Sequence, residues 1–270
     1  MASAQALLMA GDPAAALQVL QQQVRDKPGD PKLRVFLFQL LCVLGQWPRA
    51  LAQLELCAQL DHGTLAMVNT YREAIQCEAV REAVFAGKTT PLVFGQPTEW
   101  VAMLMEALAQ QARGDVAHAQ RLRERAYQAA SASAGALNGV PFDWIADADS
   151  RLGPVLEVVL NGRYTWLPFA SLSALTVEAP EDLRDFVWAA VHLKFINGGE
   201  SVGLVPTCYA GTREQDDGVL KLARATRWLA LGADQFAGLG QRVIATSGSE
   251  VGLLDVRDVQ LAAAAAAEPA

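Results

Sequence analysis

The chain has 270 residues, and its 22 Lys and Arg against 29 Asp and Glu give a net charge of −7. All of that charge lies in residues 137–270, because residues 1–136 carry 12 groups of each sign. An acidic chain is a poor partner for nucleic acid or an anionic membrane, since phosphate contacts need concentrated Lys and Arg. The hydrophobic share of 52% includes 48 Ala, and no stretch approaches the roughly 20 apolar residues that span a bilayer. We therefore expect no nucleic-acid partner and no membrane segment.

The first residues and the cysteines indicate the compartment. Residues 1–24 contain no Lys or Arg, so they lack the basic start of a secretory signal peptide. The four cysteines form no Cys-x-x-Cys pair; they are Cys42, Cys57, Cys77 and Cys208. A chain of this length builds a core without disulfides, so we interpret the four residues as buried free thiols. We expect a cytoplasmic protein.

Residues 1–133 have the apolar spacing of helices, with Leu or Phe recurring every three or four positions. A phrase of Gly followed five residues later by Ala recurs after 34 residues and again after a further 69. Its copies are Gly11-x4-Ala16, Gly45-x4-Ala50 and Gly114-x4-Ala119. A 34-residue helix–turn–helix repeat with small residues between paired helices is typical of tetratricopeptide arrays. A general antiparallel helical bundle is the alternative, and Pro91 to Pro97 interrupts the array.

The second half changes to the alternation of β-strands. Asn161-Gly162 separates Val155–Leu160 from Arg163–Leu167, and this dipeptide between two apolar runs predicts a hairpin. Four further segments are predicted as strands, namely 187–195, 201–205, 241–246 and 251–256. Val219–Leu231 is predicted as the one helix among them. Strands joined by short turns indicate an antiparallel small barrel or curled sheet.

These patterns predict an α+β fold with two units. A tetratricopeptide-like helical domain covers 1–133, and a β-rich domain covers 139–260. A Ser-, Ala- and Gly-rich linker is predicted over 131–138. An Ala-rich tail is predicted over 261–270.

No catalytic or metal-binding constellation is found in the sequence. None of the three His residues has another ligand-type side chain at metal spacing, and Gly238-Leu239-Gly240 lacks the third glycine of a dinucleotide loop. We predict no cofactor and no metal. An enzyme would need a site in the β-rich half, built from Glu200, Arg242 or the Asp216-Asp217 pair. Because helical-repeat surfaces usually bind a peptide or a partner helix, an interaction protein is favoured.

Four motifs in the second half resemble those of a known family. They are Asn161-Gly162-Arg163-Tyr164-x-Trp166-Leu167-Pro168, Asp182-Leu183-Arg184-Asp185-x2-Trp188, Asn197-Gly198-Gly199-Glu200 with Pro206-Thr207-x-Tyr209, and Gly238-Leu239-Gly240-Gln241-Arg242. In order and spacing they closely resemble the ImpE/TagJ family, whose members are accessory proteins encoded in type VI secretion clusters. The helical half resembles that family's tetratricopeptide-like region only in general character.

The resemblance implies a cytosolic, non-enzymatic adaptor of a contractile secretion apparatus. Family members are associated with the small sheath subunit, of the TssB/VipA type, and recognise a helical segment of it. They are also associated with handling of the sheath by the ClpV-type ATPase, which would be an indirect partner here. Two positions depart from the family pattern, because Cys208 and Ala210 stand where Arg and Pro are expected. If that loop binds through a guanidinium, this chain has lost the contact.

The motif residues have both a structural and a partner-binding interpretation. Structural roles are favoured for the glycines and prolines, which suit tight turns and strand ends. Both interpretations stay open for four residues, namely Arg163, Tyr164, Trp166 and Arg242. We predict that the neutral helical stack offers an apolar groove to a partner helix, while the acidic half faces a different, basic surface. A homo-oligomer packed through Ala-rich helices is a further alternative.

Overall fold

The computed structural model describes residues 2–96 and 98–262. In this part of the chain the first half holds seven α-helices: α1 Ala4–Met9, α2 Pro13–Asp26, α3 Pro31–Val43, α4 Trp47–Leu60, α5 Leu65–Phe85, α6 Glu99–Ala112 and α7 Val116–Ala129. Helices α2, α3 and α7 begin where Asp12, Asp30 and Asp115 accept hydrogen bonds from free backbone N–H groups. None of the described helices is long and apolar enough to cross a membrane.

The glycine–alanine repeat marks the joints of the helical stack. Each repeat glycine adopts positive φ between consecutive helices, with 83° at Gly11, 68° at Gly45 and 86° at Gly114. The alanine five residues later is fully buried in each copy. A larger side chain at these positions would push the closely packed helices apart. The predicted stack of helix–turn–helix units is therefore confirmed.

The described strands form three sheets, and all of them except the first lie in the second half. The strands are β1 Leu92–Val93, β2 Gly135–Leu137, β3 Val140–Phe142, β4 Ile145–Asp147, β5 Val155–Leu160, β6 Arg163–Pro168, β7 Leu172–Val177, β8 Trp188–Phe195, β9 Glu200–Pro206, β10 Thr226–Gly232, β11 Gln235–Gly240, β12 Val243–Thr246, β13 Glu250–Gly252 and β14 Asp258–Leu261. Nine of them form one sheet in the order β1-β6-β5-β9-β8-β7-β14-β2-β3. Strands β10 and β11 form a hairpin, and β13-β12-β4 form a small sheet. Because β1 and β3 are free edges, the large sheet does not close into a barrel.

Most of the predicted strands are present. Asn161 and Gly162, with φ of 50° and 70°, join β5 to β6 as the predicted hairpin turn. Strand β8 pairs with β9, and β12 pairs with β13, as predicted. The strand predicted over 251–256 is shorter than expected, because it ends at Gly252 and Leu253–Asp255 form a 3-10 turn. The interruption at Pro91 contains β1, which pairs in parallel with β6 and so joins the helical half to the sheet. Pro97 lies outside the described residues.

Three predictions about the second half are wrong. The helix predicted over Val219–Leu231 is a single turn, α8 Gly218–Lys221, which ends before Ala223 at φ 54°. Residues 226–232 pair with β11 instead, so tertiary pairing overrides the helix propensity of Leu and Ala. The predicted linker contains strand β2 at Gly135–Leu137. Leu261, assigned to the tail, completes β14; residues 263–270 of that tail lie outside the described part.

One apolar core crosses the boundary between the helical and the β-rich half. It includes Leu20, Leu40 and Leu54 from the helices together with Trp166 and Trp188 from the sheet. A second core lies under the other face of the sheet and includes residues of the small sheet and β14. The predicted division at residues 133 and 139 thus marks a change of secondary structure, and a shared core spans it.

Candidate functional site

A buried ionic network joins helix α5 to the sheet. Glu157 on β5 lies at its centre and accepts hydrogen bonds from Arg81 Nε at 2.7 Å and Arg81 Nη2 at 3.1 Å. Arg242 donates to the same carboxylate and also to Asp147 of the small sheet. Glu78 accepts from Arg81 at 3.3 Å. The network therefore connects four segments that are distant in sequence.

Aromatic side chains complete the hydrogen bonding of the network. The Tyr164 hydroxyl donates to Glu157 Oε1 at 2.6 Å and accepts from the Trp166 indole N–H at 2.9 Å. The Trp188 indole N–H donates to Glu78 Oε1 at 2.8 Å. Buried charges are costly unless they are paired and hydrogen-bonded, and here the carboxylates satisfy both conditions.

The two arginines decide the charge state of Glu157. Burial opposes its ionisation, but Arg81 and Arg242 outweigh burial and hold the pKa of Glu157 well below its ordinary value. Burial also opposes the charge on Arg242, yet Asp147 and Glu157 raise the pKa of that guanidinium. Glu157 therefore stays ionised between the two arginines. Asp147 differs, because burial raises the pKa of its carboxyl to about 7 although Arg242 opposes the shift.

The structure places most of the motif aromatics and Arg242 in this interior. Tyr164, Trp166, Trp188, Tyr209 and Arg242 have almost no exposed surface. Their side chains hold the sheet, the helical stack and the small sheet together, so solvent and partners do not reach them. Of the four residues with two open interpretations, Arg163 alone is exposed.

The remaining motif residues lie at turns and strand ends. Pro168 ends β6, and the Pro206 carbonyl accepts from Arg242 Nε at 2.9 Å. Gln241, which follows β11, donates to the carbonyl of Ala223, which follows α8, and so joins the ends of these two elements. The turn between β8 and β9 is exposed and contains the motif Asn197-Gly198-Gly199-Glu200. This turn, together with the exposed Asn161 and Arg163, supplies the motif positions that a partner could touch most directly.

Sequence reasoning missed Arg81, Glu78 and the central role of Glu157. A signal was present, since Glu157 interrupts the apolar run of β5, where a charge has no place unless a partner neutralises it. Cys208, where the family pattern has Arg, contacts the network through its main chain. Its carbonyl accepts a hydrogen bond from Arg81 at 2.8 Å, and this bond does not depend on which side chain stands at the position.

The residues proposed for an enzyme do not share a cavity. Arg242 is buried in the network, Glu200 is exposed and pairs with Lys194 at 3.1 Å, and Asp217 caps α8. The enzyme hypothesis therefore loses the site on which it rested. Among the described residues, no group of three or more His, Cys, Asp or Glu could hold a metal ion.

An open groove follows one face of α3. It has a volume of about 360 Å³ and is lined by Lys32, Val35, Phe36 and Gln39, together with Asp61 and Thr64 from the turn between α4 and α5. The four α3 residues follow the spacing i, i+3, i+4, i+7, which places them in one row on the helix. Val35 and Phe36 are half-buried, so apolar surface remains available in the groove.

Two other concavities differ in their lining. One of about 390 Å³ lies between α5 and the sheet and includes Thr70, Glu73, Asn161 and Gly162. A larger one of about 460 Å³ lies between the end of α7 and β4, and none of the motif residues lines it. Of these three concavities, the α3 groove is the one lined entirely by residues of the helical half.

Comparison with known proteins agrees with this arrangement. The chain is 50% identical over 256 residues to the type VI secretion system accessory component TagJ of Pseudomonas aeruginosa, across 95% of this chain and 90% of that protein. The family model for ImpE protein matches residues 139–260. The chain belongs to the ImpE/TagJ family. A tetratricopeptide repeat model matches residues 7–66 of this ImpE/TagJ protein.

The fold of this family member is also seen in a solved structure. The crystal structure of protein VPA1032 from Vibrio parahaemolyticus has a TM-score of 0.88, with 96% of this chain and 97% of that chain covered. At 23% identity this likeness concerns the fold alone. The segment that matches ImpE contains every motif residue, whereas the segment that matches the tetratricopeptide repeat contains the α3 groove.

Proposed function

We propose that this ImpE/TagJ protein is a cytoplasmic, non-enzymatic adaptor that binds a helical segment of the small sheath subunit, of the TssB/VipA type. Through that contact it would influence how the ClpV-type ATPase handles the sheath. The accessory role follows from membership of the family, and the α3 groove in the repeat-like segment supports binding of a helix. This groove is the single observation on which the proposal depends.

The groove has the properties that a partner helix needs. A row at i, i+3, i+4 and i+7 on α3 would pack against a similar row on a second helix, as in helix-in-groove recognition. Val35 and Phe36 would supply the apolar contact. Lys32 and Asp61 both line the groove and would orient charged residues of the partner. Burial of one large apolar side chain contributes about 1.5 to 3 kcal/mol, so Phe36 should dominate the affinity.

Isothermal titration of the full chain with the cognate small sheath subunit tests the proposal. We expect saturable binding that weakens about 10-fold or more in Phe36→Ala and further in Val35→Asp. Val80→Asp is the matched control, because Val80 is an apolar residue of α5 with 44% exposure outside the groove. Absence of binding, or equal losses in the control and the groove variants, would refute the proposal.

A further inference from the structure

Strand β10 leaves a main-chain edge unpaired. On its neighbour β11, the N–H groups of Phe236, Gly238 and Gly240 donate to Ser150, Asp149 and Thr212, away from β10. Ala237 and Leu239, which alternate with these residues on β11, therefore exchange hydrogen bonds with Leu229 and Arg227 of β10. It follows that the N–H and C=O groups of Trp228 and Ala230 point outward. Within residues 2–96 and 98–262, these outward groups have no hydrogen-bond partner.

The side chains along this edge are apolar and accessible. Leu229 is 46% exposed and Trp228 is 37% exposed, and Phe236 on β11 is also exposed. Arg227, which pairs with Asp217, protects one end of the edge, and a register shift at Gly232 protects the other. The centre of the strand has no charge, so it presents both free main-chain groups and apolar surface.

We propose that a second copy of this chain pairs with β10 across a two-fold axis at Leu229, which makes a four-stranded antiparallel sheet. In this register Trp228 lies opposite Ala230 of the second copy, so the outward groups of both residues form hydrogen-bonded pairs. The pairing uses the same residues from each chain, as a two-fold interface requires. This inference does not depend on the proposed sheath contact, which uses α3.

The register also fits by size. Trp228, Ala230 and Phe236 share one face of the hairpin, because Ala230 pairs with Phe236 and Trp228 pairs with Gly238. Across the new sheet each row would read Phe236, Ala230, Trp228 of the second copy, and then its Gly238. Large and small residues alternate along this row, which is the complementarity that packed faces need.

The register avoids like-charge contacts as well. Arg227 is the one charged residue of β10, and it would lie opposite Leu231 of the second copy. The two Arg227 residues would be four positions apart, which is about 13 Å along the strand. That separation exceeds the screening length of about 8 Å at physiological salt, so their repulsion is weak.

Sedimentation equilibrium of the full chain tests the dimer. One paired edge buries less than a standard interface, so we expect a concentration-dependent dimer with Kd of about 10 to 100 µM. The mass should rise from 28.9 kDa toward twice that value across about 5 to 500 µM. A constant mass of 28.9 kDa at every concentration would overturn the proposal.

Charge variants at the axis locate the contact. Leu229→Lys and Leu229→Glu should each stay monomeric, because like charges would face each other across the axis. An equimolar mixture of the two should form a heterodimer, and this rescue also shows that both variants are folded. Leu60→Lys is the matched control, since Leu60 is 45% exposed on α4 and should leave the dimer unchanged. A dimer that survives Leu229→Lys, or a mixture that stays monomeric, would overturn the assignment to β10.

Discussion

Replacement of Glu157 by Gln tests whether the buried network holds the helices to the sheet. The side-chain shape is kept, but one carboxylate oxygen becomes an NH2 group. Both oxygens of Glu157 accept from two donors, so the new amide faces donors in either orientation. Arg81 and Arg242 then lose the negative charge that they share.

The expected loss is large because the site is fully buried. Removal of one partner from a buried ion pair costs about 3 to 5 kcal/mol, since the remaining charge is left uncompensated. For a chain of this size that loss lowers Tm by roughly 6 to 20 °C. An exposed pair gives the comparison: Lys194 and Glu200 are joined at 3.1 Å, but both side chains are mostly in solvent. Glu200→Gln should cost less than about 1 kcal/mol.

Urea unfolding followed by circular dichroism measures both variants. The free energy of unfolding should fall strongly in Glu157→Gln and hardly in Glu200→Gln, with little change in the dependence on urea. Equal losses in the two variants would show that the network contributes no more than a surface pair, and the reasoning from burial would be refuted.

The difference in the free energy of unfolding between wild type and Glu157→Gln should depend on pH. The pKa of Glu157 is lowered in the folded chain by Arg81 and Arg242, against the effect of burial. A lowered pKa stabilises the fold above the unfolded value of about 4.3 and loses that contribution as pH falls below it. The difference in the free energy of unfolding between wild type and Glu157→Gln should therefore be fully present at pH 7 and should become smaller below about pH 4. A gap that is constant with pH would show that Glu157 is not ionised.

The remaining predictions also concern the free energy of unfolding in urea. Gly162→Ala should cost about 1 to 2 kcal/mol, because Gly162 has φ of 70°. Gly248→Ala should be near neutral, because an added Cβ at Gly248 would have no atom within 4 Å. Arg123→Met should cost less than Glu157→Gln, because the buried Arg123 is bonded to two amides and not to a carboxylate. Trp188→Phe should cost about 1 to 3 kcal/mol, since the Glu78 carboxylate loses a donor.

Local signals allowed much of the fold to be predicted. The Gly turns and buried Ala residues of the stack act within one helical hairpin, so the sequence spacing is enough to reveal them. Asn161-Gly162 likewise determines its own hairpin, because both residues accept positive φ. The segment over 219–231 is a contrasting case. Its Leu and Ala residues favour a helix locally, and pairing with β11 decides its structure instead.

The network could not be predicted because its contacts are distant in sequence. Arg81 and Glu157 are 76 residues apart, and Arg242 and Glu157 are 85 residues apart. No periodic pattern relates such positions, because the spacing of apolar residues reports only on the helix or strand in which they lie. The choice between a structural and a partner-binding role for Tyr164 and Trp166 also required knowledge of these long-range contacts. Their aromatic rings suit an exposed binding surface or an interior equally until the buried partner is known.

The burial of the motif residues distinguishes residues that stabilise the fold from residues that are accessible to a partner. Trp166, Trp188 and Arg242 specify how the sheet meets the helices, so the motifs identify the fold of the ImpE/TagJ family. Under the proposed function, partner choice depends on side chains that reach solvent, such as Val35 and Phe36 in the α3 groove. A substitution in the network should therefore reduce stability and binding together, because the helical stack loses its support. A substitution of Val35 in the groove should reduce binding with little loss of stability. Phe36→Ala should also lower the free energy of unfolding somewhat, because Phe36 packs against the core that the two halves share.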